Sequence, residues 1–132
     1  MKPIFFICSL LLLAGCGGAD PDATQVVDPR TQSWEQIEAE ARGKTVSWMM
    51  WMGDPQINNY VKSYVQPELK KQYDINLEVT NGQGNTIVQT LLAELQAGKT
   101  RSEIDMIWIN GETFYKLRQI DALWGPWTEK MP

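Results

Sequence analysis

"VSWMMWMGDP", residues 46–55, packs two tryptophans and three methionines into its first seven positions and then turns abruptly polar. Three readings compete for it: a soft metal site, an aromatic ligand cage, or a strand buried in a core. Thioethers are soft ligands that suit Cu(I). In a strand, however, alternate side chains face opposite ways, so Met50 and Met52 share one face and Met49 takes the other. The chain contains no histidine to join them. A parallel strand covered on both faces is expected to be continuously apolar, with methionine filling irregular gaps. The run therefore reads as a strand over 45–52, and only its polar tail reaches a place where a ligand could touch it.

Outward from this run the chain alternates strand and helix. Asp54-Pro55 pairs an N-cap residue with a proline at the first helical position. Ile57, Tyr60, Val61, Tyr64 and Val65 follow at helical spacing, and Pro67 is expected to kink or restart that helix before Leu69 and Tyr73 continue its apolar face. INLEV, residues 75–79, alternates as a second strand, and the polar, glycine-bearing Asn81 to Asn85 turns into a helix. Thr86 with Gln89 matches a capping box, Ile87, Leu91, Leu92 and Leu95 supply the apolar face, and Gly98 stops the helix. A third strand is expected over 103–109. Asn110-Gly111-Glu112 then leads into a helix with Phe114, Leu117 and Ile120 inward. Upstream, Ser33 is placed to cap a short helix over 34–41. Strands separated by helical stretches specify an α/β fold with a parallel sheet and crossover connections.

The N-terminus fixes the compartment. After Met1-Lys2, the apolar run from Ile4 to Ala14 is far short of the about 20 residues that span a bilayer. It ends in Leu13-Ala14-Gly15-Cys16, which matches the lipobox of bacterial lipoproteins: a signal peptide over 1–15, cleavage before Cys16, and acylation of that thiol. Cleavage also removes Cys8, so no internal disulfide is expected. Residues 16–33, rich in Gly, Pro, Asp, Thr and Gln, read as a flexible tether reaching on the order of 20 Å, and 34–132 as the folded part. The chain of 132 residues carries a net charge of −4 and no basic run, which argues against nucleic acid or a polybasic membrane surface as partner. The expected location is the periplasmic side of a bacterial membrane, held by the lipid on Cys16.

In an open parallel sheet, ligands bind beyond the carboxyl ends of the strands. Those ends are Gly53-Asp54-Pro55-Gln56, Asn81 to Asn85, and Asn110-Gly111-Glu112. Glycine, asparagine and aspartate make ordinary strand-to-helix turns, so each alone carries little weight; three on one edge carry more. Gly82-x-Gly84 is no dinucleotide fingerprint, since it follows the second strand and lacks the third glycine. Asp54 and Glu112 are the only acid/base candidates, and both sit where helix starts use carboxylates, with no nucleophile to complete a constellation. No cofactor is implied.

The ordered set of lipobox, Trp51-Met52-Gly53-Asp54, the tyrosine-bearing helix running to Pro67-Glu68-Leu69-Lys70-Lys71-Gln72-Tyr73-Asp74-Ile75, Asp105 to Glu112 (DMIWINGE) and Leu123-Trp124-Gly125-Pro126-Trp127 resembles the extracytoplasmic solute-binding proteins of ABC importers. Within them it is similar to the type II periplasmic-binding-protein fold and its YnjB-like branch, related to thiamine, polyamine and iron(III) binders. The resemblance implies a non-enzymatic receptor that passes a small solute to ABC permease subunits. It also implies a three-layer α/β/α first lobe, here an incomplete β-α-β-α-β-α part of it. The cleft-facing set it implies is Trp51, Gly53, Asp54, Gln56, Gln83, Gly84, Asn85, Asn110 and Glu112. Trp51 with Asp54 and Glu112 would suit a cation. Family members are two to three times longer, so the chain reads as an N-terminal fragment or a truncated reading frame, with an exposed sheet edge and apolar surface. A small envelope lipoprotein with a structural or interaction role, and an exported enzyme, are the alternatives.

Overall fold

The central strand is the one expected. In the computed structural model, which describes residues 27–126 and 128–130, Thr45–Met50 forms β1. The expected signal peptide, Cys16 and most of the expected tether lie outside the described residues. β1 is flanked by β2 (Asn76–Asn81) and β3 (Met106–Ile107), giving the order β2-β1-β3 with both pairs parallel. β1 and β2 pair along their whole length, from Thr45 opposite Asn76 to Met50 opposite Asn81. No helix among the described residues is long and apolar enough to cross a membrane.

Side-chain alternation along β1 divides the core in two. Val46, Trp48 and Met50 join Leu77 and Val79 beneath the first helical layer, where Val61, Ile57, Val65 and Leu69 close over them. Met49 faces the other way, into a second cluster built on Ile87, Leu91 and Leu117 with Ile107 and Ile109. The architecture is thus three-layered α/β/α, and Met50, 1% exposed, is packing rather than ligand. Among the described residues no group of His, Cys, Asp and Glu is arranged to hold a metal.

The first helical layer is one run in three parts: α2 (Pro55–Tyr60), a π-helical turn over Val61–Val65, and α3 (Gln66–Tyr73). Pro67 explains the middle part. Its ring would collide with the carbonyl four residues back and it has no N–H to give, so the turn before it widens, with Gln66 N–H donating five residues back to Val61 C=O. The expected kink is therefore realised as a π-bulge. Widening also shifts the helix face: Val61 is buried while Tyr60 and Tyr64 stand exposed, stacked on each other at 5.3 Å between centroids. α3 ends where Asp74 adopts a left-handed conformation, φ 56°, and the chain re-enters the sheet through Asn76 N–H to Lys44 C=O.

α1 (Trp34–Ala41) begins with the expected cap: Gln36 N–H donates to Ser33 Oγ and Ser33 N–H to the Gln36 side chain. Residues 27–33, at the end of the expected tether, hold a one-turn 3-10 helix over Pro29–Thr31 capped by Asp28, and Arg30 lies 5.4 Å from the Trp124 ring centroid.

Four expectations are corrected. α4 runs Gly84–Gln96, so Thr86 lies inside its first turn and the Thr86/Gln89 capping box does not form. β3 is two residues, not the seven of 103–109. Side chains take the backbone donors that a longer ladder would use: Glu103 N–H goes to Glu94, Ile104 N–H to Ser102, and Ser47 N–H of β1 to the Asp105 carboxylate. In α5 (Gly111–Gln119) the inward face is Thr113, Leu117 and Ile120, whereas Phe114 is 51% exposed. Leu95, expected on the buried face of α4, is also exposed.

These two α5 assignments separate in stability. Leu117, fully buried, should cost about 3 kcal/mol when replaced by alanine. Phe114→Ala should cost under about 1 kcal/mol. Urea unfolding of both variants checks this, and equal losses would contradict the observed helix face.

Candidate functional site

The three strand-to-helix turns meet at the carboxyl edge of the sheet. Between them is a cleft of about 420 Å³, lined by Trp51 after β1, Gly82, Gln83 and Gly84 after β2, and Trp108, Ile109, Asn110 and Thr113 after β3. That volume is within the range of small-molecule sites.

Its walls are fixed by close approach. A Cβ on Gly82 would overlap the Met49 side chain, so β1 forms the floor beneath the second turn. A Cβ on Gly84 would overlap the Thr113 hydroxyl, so the first turn of α4 sits directly against that of α5. A Cβ on Gly53 would fall inside the Trp51 ring, which makes Gly53 the bed on which that ring lies. Trp108, half exposed, stacks on Trp48 at 5.9 Å with planes 18° apart. Asn110 caps α5 by accepting Thr113 N–H on Oδ1 at 2.9 Å.

Of the nine residues expected to face the cleft, Trp51, Gln83, Gly84 and Asn110 line it. Gly53 acts beneath Trp51. Asp54 spends a carboxylate oxygen on the N–H groups of Gln56 and Ile57, at 2.7 and 3.1 Å, as the cap of α2. Gln56 and Asn85 lie exposed in first helical turns outside the lining. Glu112 is exposed and pairs with Lys116 at 2.6 Å, one turn along α5. The two carboxylates proposed for a cation are thus engaged elsewhere, and among the described residues no ionisable side chain lines the cleft. Gly82, Trp108, Ile109 and Thr113 are the lining residues outside the expected nine. Trp108 and Ile109 are the last two residues of an apolar run, and Thr113 falls in the first turn of a helix whose face was assigned one residue out of phase.

A smaller hollow of about 280 Å³ lies over the first layer, lined by Met50, Met52, Asn58, Lys62 and Gln66 among others. Two of its amides donate to backbone carbonyls, Asn58 Nδ2 to Met52 and Gln66 Nε2 to Leu77, while Asn58 Oδ1 is buried without a partner among the described residues. We take the larger cleft as the site because all three turns contribute to it.

Over 101 residues, 75% of its length, the chain is 37% identical to Protein YnjB of Escherichia coli (strain K12). The chain is related to that protein and spans about a quarter of its length, 26%. No family model matches the chain, and no solved structure does.

The carboxylate assignments are testable. Lys116 holds the Glu112 carboxyl below its ordinary range, by hydrogen bond first and charge second. A depressed folded-state pKa stabilises at neutral pH, and that contribution is lost as pH falls through the folded value. Lys116→Ala should raise the Glu112 midpoint in an NMR pH titration; an unmoved midpoint contradicts the pair. Asp54→Ala should cost about 1 kcal/mol as a lost N-cap while leaving the Trp51 and Trp108 signals in place. Displacement of those signals would put Asp54 in the cleft.

Proposed function

We propose that this chain is part of the lipid-anchored substrate-binding component of an ABC-type importer, which captures a small solute outside the inner membrane and delivers it to the permease. The observation that carries this reading is the cleft itself. Parallel sheets bind ligands at their carboxyl edge, and here three successive turns converge on one hollow walled by two tryptophans. The relation to YnjB over 101 residues supports placing the chain in the YnjB-like branch of type II solute-binding proteins. In that reading the α/β/α unit is part of the first lobe, and a second lobe would close over the exposed rim of the cleft. The anchor is Cys16, through diacylglyceryl and palmitoyl chains. An envelope lipoprotein with an interaction role is the second reading, favoured by the exposed Tyr60–Tyr64 stack and exposed Met106.

Radiolabelled palmitate feeding and native mass spectrometry test the two halves of the proposal. Wild-type protein should carry the label, and Cys16→Ala should lose both label and membrane association. Protein released gently from cells should retain a small molecule that Trp108→Ala loses. A chain that is acylated but never carries a small molecule would favour the interaction role.

A further inference from the structure

We infer that the cleft takes the oxyanion end of its solute, a carboxylate or phosphate group, at the start of α4 beneath Thr113. The inference rests on the proposed solute-binding role of this cleft and names the chemistry of what enters it.

Two independent observations meet at one point. First, α4 begins without a side-chain cap. Its first helical bond runs from Ile87 N–H to Gln83 C=O, which leaves the N–H groups of Gly84, Asn85 and Thr86 ahead of the ladder. α4 runs for 13 residues, long enough to present a partial positive charge at that end. Second, Thr113 is 5% exposed, lines the cleft, and has no hydrogen bond to its hydroxyl among the described residues. That hydroxyl is therefore open to a ligand in the cleft, as donor or acceptor. Close packing against Gly84 puts that hydroxyl beside the first residue of α4.

The other cleft groups agree in sign. Asn110 uses its carbonyl oxygen on Thr113 N–H, which leaves the amide NH₂ as its remaining side-chain function, and that is a donor. The carboxylates that would repel an anion are withdrawn, Asp54 into the α2 cap and Glu112 onto Lys116. The cleft therefore offers donors and aromatic faces and no fixed negative charge. An oxyanion would accept from α4 N–H groups and Thr113 Oγ1, with the rest of the solute between Trp51 and Trp108.

The test is an amide-resolved NMR titration of the full chain in detergent micelles with inorganic phosphate, acetate and tetramethylammonium as separate probes. Phosphate, acetate or both should shift Gly84, Asn85 and Thr113 saturably, and the responding anion shows which oxyanion class the site prefers. Thr113→Val keeps the shape and should weaken that binding about tenfold, as for a hydrogen bond to a charged group; Thr113→Ser should retain it. Absence of saturable shifts with both anions, or equal affinity in Thr113→Val, overturns the inference. If tetramethylammonium then moves the Trp51 and Trp108 signals, the cleft still binds solutes and only the oxyanion assignment fails. If no probe moves them, the solute-binding reading loses its support as well.

Discussion

Everything in this structure depends on β1 being buried from both sides. Met50 and Met49 are consecutive, yet one closes the core beneath α2 and α3 and the other supports Gly82 and the cluster under α4 and α5. Both flanking strands hydrogen-bond to β1 and not to each other. A polar residue at position 50 would strand a group in a space 1% exposed. The same strand carries Trp48, on which Trp108 stacks, so the position of the cleft wall is inherited from the core.

Much of this was legible because the period-2 and period-3.6 patterns are strong where burial is strong. The apolar run over 46–50, the Asp54-Pro55 cap, the Ser33 N-cap and the parallel order follow from local chemistry that tertiary packing does not override. The failures share a cause. In α5, Thr113 is buried and Phe114 exposed because Gly84 brings α4 so close that only a small side chain fits at the contact. No hydropathy pattern encodes that approach. β3 stops short because Ser102, Asp105 and the distant Glu94 compete for backbone donors. The π-turn was half visible: Pro67 demanded a disturbance, but the kind of disturbance depends on how the helix keeps Val61 on Leu77.

The candidate site was legible as a place more than as a set of residues. Strand ends named one edge of the sheet, and the turns after β1, β2 and β3 converge there on a cleft. Charge misled: Asp54 and Glu112 look like ligands in a sequence and are a helix cap and an ion pair in the fold. What remains facing the cleft is neutral, aromatic and donor-rich. Recognition in such a surface comes from ring faces and oriented dipoles, which bind well when water is excluded, in keeping with the proposed receptor role.

The central claim is that a solute enters between Trp51 and Trp108. Fluorine NMR of the chain labelled with 5-fluorotryptophan addresses it directly, because the six tryptophans report separately. Titrated with a panel of small solutes including thiamine, putrescine and inorganic phosphate, the account predicts that a binding solute moves the Trp51 and Trp108 resonances and leaves Trp34 and Trp124 unmoved. A solute that shifts Trp34 or Trp124 while Trp51 and Trp108 stay fixed would contradict it.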